Sequence, residues 1–408
     1  MTACPTILQV LPALGTGGLE RGAIEIARAT VLGGGRALVA CHEGPLLPAL
    51  HACGAVHIPL DLRSKSPIAI SRNARRIADI IRREKVDLVH ARSRAPAWAA
   101  LRAARRTNVP FVTTWHGVHE ARWWGKKRYN SVLAKGDRVI AISQYIADRL
   151  RGDYAVGPDQ LRLIPRGADL TVFDPARVPG PRVQALAQAW AIPDDVRVIM
   201  LPGRLTPWKG QLQLIEALPL LASRAPGIDW VCVLVGPGDA QERYTKELTT
   251  RARALGIAER LRFSGACADM AAAMALADVV VVPSQRPEPF GRVVVEAQAM
   301  GRPVVVANHG AAAEIVRDGE TGLLVTPNDT AALAQGIADV LTASVDALAW
   351  LAERARAHIV STYGIAAMQS ATLGVYDELL NTDLQSRFEL AVSAPSSPLF
   401  PHARAVSA

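Results

Sequence analysis

Cysteine is scarce in this chain. Its 408 residues include five (Cys4, Cys41, Cys53, Cys232 and Cys267), an odd number with no CxxC spacing. That excludes a disulfide framework and a zinc site, and favours a reducing cytoplasm. Long apolar runs are also lacking. Half of the residues are hydrophobic, yet no uncharged stretch approaches the roughly eighteen positions of a membrane span. The N-terminal "MTACPTILQVLPALG" has no basic n-region and its apolar run stops at Pro12. It reads as the first strand of a folded body, not a signal peptide.

Acidic residues are few in the first half only. Through Pro175 there are 26 Lys and Arg against 14 Asp and Glu; the remainder has 20 against 23. The whole net charge of +9 therefore belongs to the first half. No RNA- or DNA-binding signature accompanies it, so nucleic acid is not an expected partner. An anionic membrane surface is a second reading, since each nearby basic residue contributes about 1 kcal/mol there. A solvated basic face is the third.

Short β-branched runs alternate with helical stretches. Strands are expected at 6–11, 36–41, 86–91, 110–115, 138–143 and 161–165, then at 196–201, 229–236, 261–265, 277–284, 302–308 and 322–325. The runs are continuously apolar, as in parallel strands buried on both faces. Strand–helix alternation gives right-handed crossovers and an α/β, doubly wound architecture. The aperiodic, proline-rich "DLTVFDPARVPGPRVQ" (169–184) marks a linker. The expected organisation is a domain over 1–178, a second over 179–362, a helix over 363–385 and a disordered tail over 386–408. Two such halves face each other across a cleft, where strand carboxyl ends present ligand sites.

Four stretches carry chemistry. "LPALGTGGLERGAIEIA" (11–27) leads from a strand through Gly15, Gly17 and Gly18 into a helix whose free N–H groups suit an anion. The dinucleotide fingerprint needs glycine at position 20, where Glu20 stands, so an NAD-dependent Rossmann enzyme is the alternative and a plain tight turn the plainer reading. "TTWHGVHEARWWGKKRYN" (113–130) places His116 just past a strand. His116 and His119 lack a third ligand, so metal is not expected. The Arg122, Trp123, Trp124, Lys126, Lys127 and Arg128 that follow suit a membrane interface, or else core tryptophans beside a solvated helix. "MLPGRLTPWKGQ" (200–211) brackets a loop with Arg204 and Lys209, two cations suited to a diphosphate. "EPFGRVVVEAQAMG" (288–301) puts Glu288 in a loop beyond a strand and Glu296 about one turn inside a helix, with free amides near Phe290–Val293.

Together "GTGGLER", "TWHG", "GRLTPWKG" and "EPFGRVVVEAQAMG", in that order, resemble a family 4 retaining glycosyltransferase of the GT-B fold, two Rossmann-like domains around a cleft. The last stretch matches the family's E-x7-E motif, and the similarity covers about 5–380. The resemblance implies that Arg204 and Lys209 bind the donor diphosphate. It implies Glu288 on the transferred sugar, Glu296 on the ribose, and Phe290, Gly291, Arg292 and Val293 along sugar and phosphates through backbone. Gly17 and Gly18 would face the donor or acceptor, His116 would lie near the reacting centre, and Gly265 in "FSGAC" would lie near the base. The C-terminal helix would cross back onto the first domain. No cofactor or metal is expected, in keeping with the absence of any Asp-x-Asp.

The implied reaction moves a sugar from a UDP- or GDP-linked donor to a glycan or glycolipid acceptor, such as lipopolysaccharide core. The implied location is the cytoplasm or the inner face of its membrane. A same-fold epimerase or phosphorylase is a further alternative.

Overall fold

The computed structural model describes residues 4–15, 17–119, 123–238 and 242–393. Strands β1 (Thr6–Ala13), β2 (Arg36–His42), β3 (Val56–Pro59), β4 (Leu88–Ala91), β5 (Phe111–Trp115), β6 (Arg138–Ala141) and β7 (Leu161–Leu163) build one sheet, ordered 3-2-1-4-5-6-7. Strands β8 (Arg197–Pro202), β9 (Trp230–Val235), β10 (Leu261–Gly265), β11 (Val279–Val282), β12 (Val304–Ala307) and β13 (Leu323–Val325) build another, ordered 10-9-8-11-12-13. Every ladder is parallel. Runs such as Val279–Val282 are wholly buried, because helices cover both faces.

Strand order reverses between β1 and β4 in the first sheet and between β8 and β11 in the second. Crevices open at such switch points, outside the strand carboxyl ends. The loops that leave β1, β5, β8 and β11 are the four stretches singled out above. β1, β8 and β11 flank the two switch points, and β5 lies one strand beyond β4 at the same carboxyl end of the first sheet.

The chain returns to its start at the C-terminus. The Ile365–Leu380 helix buries Met368, Leu373 and Tyr376 with Ile7, Ile26, Leu88 and Ile140 of the first domain. The Tyr376 hydroxyl meets His90 Nδ1 at 2.7 Å, and the other ring nitrogen meets Thr114 Oγ1 at 2.8 Å. Burial holds this histidine neutral, well below its usual range. At the rim Glu378 accepts from both Arg138 (2.8 Å) and Arg162 (2.7 Å).

Three sequence expectations change. The edge strand β3 escapes notice because it is only four residues long, half-exposed and ended by Pro59. The 169–184 stretch is shorter as a linker, since a helix starts at Gly180 with Pro181 in its first turn, where the missing N–H costs nothing. Residues 386–393 are not a disordered tail: they complete the Leu384–Ser393 helix, with Leu384 and Phe388 buried beside Tyr376. The prolines and serines beyond diluted that signal; 394–408 lie outside the described residues.

Tyr376→Phe removes the hydroxyl and leaves His90 Nδ1 unsatisfied. It should lower unfolding free energy by about 1–3 kcal/mol in urea titration, without altering native far-UV circular dichroism.

Candidate active site

The second sheet supplies a paired cation and carboxylate. Lys209 closes the short Pro207–Lys209 turn after β8, and its Nζ donates to Glu288 Oε1 at 2.7 Å. Ser284 Oγ donates to the same oxygen. Ser284 is itself held through its carbonyl, which accepts from His309 Nε2 at 2.5 Å. Two glycines make this geometry possible. Gly210 has φ +79° and lies so close to the Pro283 carbonyl that a Cβ would be 2.0 Å from it. Gly310, at φ +64°, lets the chain pair with Glu288, where a Cβ would meet the Glu288 oxygen at 2.4 Å. The Lys209 ammonium also lies 4.4 Å from the Trp208 ring centroid. A tryptophan at that position thus adds a cation–π contact to the lysine. Arg204, two residues past β8, is exposed.

Past Glu288 the chain enters the Arg292–Ala299 helix, capped by Gly291 without any side-chain cap. No acidic residue occupies its first turn, so its leading N–H groups are open to an anion. The Phe290 ring is buried, edge-on to Tyr363 at 5.9 Å, and lines a small cavity together with Ser284 and Glu288. Val293 is half-buried. Glu296 is buried one turn in and accepts from Arg292 Nη2 at 3.1 Å. Burial pushes the Glu296 carboxyl up from its usual range, with Arg292 opposing. At the far end of the same sheet edge Gly265 has φ +67° over open space, and its carbonyl accepts from Gly236.

The first domain meets this half through charge. Glu25, on the Gly18–Leu32 helix, takes Arg166 at 3.3 Å and stands 3.9 Å from Arg292. Gly18 faces the same two arginines, each 3.7 Å from where its Cβ would be. Over Gly17 the Glu20 carboxylate folds back, so the loop carries its own anion at this helix N-terminus. His116 follows β5. Its Nδ1 is shut from solvent without a partner, and its Nε2 is 3.4 Å from Arg92 Nη1. Burial, then the nearby Arg166 and Arg92 cations, keep the ring neutral. No bond joins His116 to Glu288 among the described residues. His119 stacks on Trp115 at 5.3 Å and is held at about 4 by burial and neighbouring cations. Among the described residues no group of three or more metal-ligating side chains forms.

Trp123 and Trp124 are 60 % and 76 % exposed, which removes the reading of core tryptophans. Arg122 lies outside the described residues. Sequence reasoning missed Ser284, Arg92, Arg166 and Glu25. The first two stand at the ends of continuous apolar runs, where side chains aim at a crevice; that position is the signal. Glu25 between Ile24 and Ile26 gives only a charge inside an apolar stripe.

Two outcomes follow from these charges. Lys209→Met strands Glu288 without its cation and should cost about 2–4 kcal/mol; Lys209→Met with Glu288→Gln should recover part of that in chemical denaturation. Glu296 has a raised pKa, so its contribution to stability is full below the ordinary carboxylate range and falls as pH rises through the raised value. Glu296→Gln lacks that loss. Its melting temperature relative to the native chain should therefore be higher at pH 8 than at pH 5.

Comparison with known proteins shows the family and the fold. Residues 16–172 match the model of Glycosyltransferase Family 4, and residues 183–358 that of Glycosyl transferases group 1. The chain is similar to the D-inositol 3-phosphate glycosyltransferase of Actinosynnema mirum, 38 % identical over 220 residues, 52 % of this chain and 51 % of that protein. It thus spans about half the length of that curated relative. A glycosyltransferase of Rickettsia africae has 34 % identity and a TM-score of 0.85, with 92 % of this chain and 98 % of that chain covered. Anabaena HepE, solved with UDP-glucose, has 25 % identity and a TM-score of 0.79, with 91 % and 99 % covered. With both halves matched and a relative followed along nearly its whole length, the chain belongs to the group 1 and family 4 glycosyltransferases, with the two-domain GT-B fold.

Proposed function

We propose that the chain is a retaining glycosyltransferase that moves a sugar from a UDP- or GDP-linked donor to a glycan or glycolipid of the cell envelope, such as lipopolysaccharide core. It does so without a metal or other cofactor. The observation that carries this reading is the Lys209–Glu288 pair at the second switch point, with an uncapped helix N-terminus a few residues away. The HepE structure, with its UDP-glucose, supports a uridine donor.

The donor diphosphate takes Lys209 from Glu288 and adds Arg204 and the amides of Gly291–Val293. Glu288, released, orients the hydroxyls of the sugar, and Glu296 accepts from the ribose. Gly265 leaves room for the base, and Gly17 and Gly18 close the other wall. The bond from the sugar's anomeric carbon to the phosphate oxygen breaks, and charge grows on the leaving phosphate, where the cations and amides stabilise it. The acceptor oxygen attacks from the same face and gives its proton to that phosphate. Configuration is retained. Neutral His116 sits beside the reacting centre without adding a second cation there.

The exposed Trp123 and Trp124, with Lys126, Lys127 and Arg128, form an amphipathic edge on the basic domain. It suits the anionic inner leaflet, where a lipid-linked acceptor would lie. No single helix among the described residues is long and apolar enough to cross a membrane.

Transfer from a panel of nucleotide sugars in the presence of a chelator should give a product with the donor's anomeric configuration by proton NMR. Glu288→Gln should lose roughly 100-fold in kcat. An inverted product, or turnover only with added divalent metal, contradicts the reading. Sedimentation with anionic vesicles at low salt should carry the protein down, and Trp123→Ser with Trp124→Ser should leave it in the supernatant.

A further inference from the structure

Arg92 and Arg166 are the two arginines buried below a tenth of their surface among the described residues. Arg166 has a carboxylate, Glu25. Arg92 has none in contact. Its Nε donates to Gln9 Oε1 at 2.7 Å, its Nη1 lies 3.4 Å from His116 Nε2, and its Nη2 makes no hydrogen bond of good geometry, although the Tyr376 hydroxyl lies beside the guanidinium and Glu25 adds a more distant negative charge. Gln9 in turn donates its amide to the Ala23 carbonyl at 2.9 Å, which fixes its oxygen toward Arg92. A buried cation without a counter-ion in contact is costly to keep, so its one contact with a site residue calls for a role.

A guanidinium carries donors only. At 3.4 Å the contact with His116 is long, but two N–H groups facing each other there would repel, so the geometry favours a lone pair on Nε2. A neutral imidazole with its lone pair there carries its proton on Nδ1. That nitrogen is the one left buried and unpartnered. The groups facing the ring make a second proton unfavourable. Arg92 comes from the loop after β4 and Arg166 from the loop after β7. His90 and His119, both neutral, lie on either side in sequence. The nearest carboxylate on the Gly18–Leu32 helix, Glu25, is engaged with Arg166 and Arg292.

We propose that Arg92 is a positioning residue that locks His116 as the neutral Nδ1–H tautomer, so that the ring can serve sugar transfer as a hydrogen-bond donor and not as a base. Nε2, the only nitrogen able to accept a proton, is covered by the guanidinium. The role in transfer rests on the glycosyltransferase reading above; the tautomer itself does not.

The test is nitrogen-15 NMR of histidine-labelled protein, with His116→Asn to assign the ring. The native chain should show a protonated Nδ1 and an unprotonated Nε2, unchanged between about pH 5.5 and 8. In Arg92→Met the ring, still kept neutral by burial and Arg166, should exchange tautomers, and Arg92→Lys should restore the native spectrum. Kinetically, with the donor nitrogen no longer fixed, Arg92→Met should lower kcat roughly tenfold with little change in donor KM, and by a similar factor at about pH 5.5 and 8. A protonated Nε2 in the native chain overturns the proposal, whether or not the variants fold. So does an Arg92→Met spectrum identical to the native one. A protein with the expected spectrum but no sugar transfer would instead refute the functional reading alone.

Discussion

The Lys209–Glu288 pair is the contact on which the rest of the cleft depends. Two charged groups with side chains only 15 % and 18 % exposed cannot stand alone at the edge of a sheet. Each stabilises the other until a ligand with charge and hydroxyls arrives. Ser284, His309, Gly210 and Gly310 all serve to hold that pair at the end of β11. Under the proposed function, a diphosphate would offer Lys209 a stronger anion and a sugar would offer Glu288 new donors, so the pair as it stands is one that a charged ligand can exchange.

The same logic joins the two domains. Glu314, from the second, accepts from the backbone of Gln144 (2.7 Å) and Tyr145 (2.6 Å) at the start of a first-domain helix. Ser143, at that helix's N-cap, donates to the Pro289 carbonyl. The helix's leading amides are satisfied across the cleft, next to the loop that carries Glu288. Glu25 does likewise for Arg166 and Arg292. These contacts are charged and directional, and they sit beside a buried apolar cluster that includes residues of both domains, among them Ile146, Phe173, Phe290 and Tyr363. They tie the start of that first-domain helix to the loop that carries Glu288.

Much of this was legible in the residues. Continuous valine runs gave the buried parallel strands, and glycine or proline after each run located the crevice loops. The order of the motifs then pointed to the family and the two-domain fold, which the comparisons bear out. What escaped depends on long-range contact. Nothing local in "AAAEIV" marks Glu314 as the cap of a helix 170 residues earlier. Arg92 reads as one more base in a basic half, since sequence does not show that it is buried beneath His116. Val56–Pro59 and Leu384–Ser393 were lost for a simpler reason: short or diluted patterns lie below what periodicity resolves.

The most direct test of the donor site is the thermal midpoint of the purified chain with UDP, GDP, ADP and NAD in turn, without added metal, on native protein and Glu296→Ala. Binding to the folded state raises the midpoint by mass action. The account predicts a rise with UDP or GDP that the substitution diminishes. A rise with NAD alone would contradict it, and would return the function to the glycine loop at Gly15–Gly18.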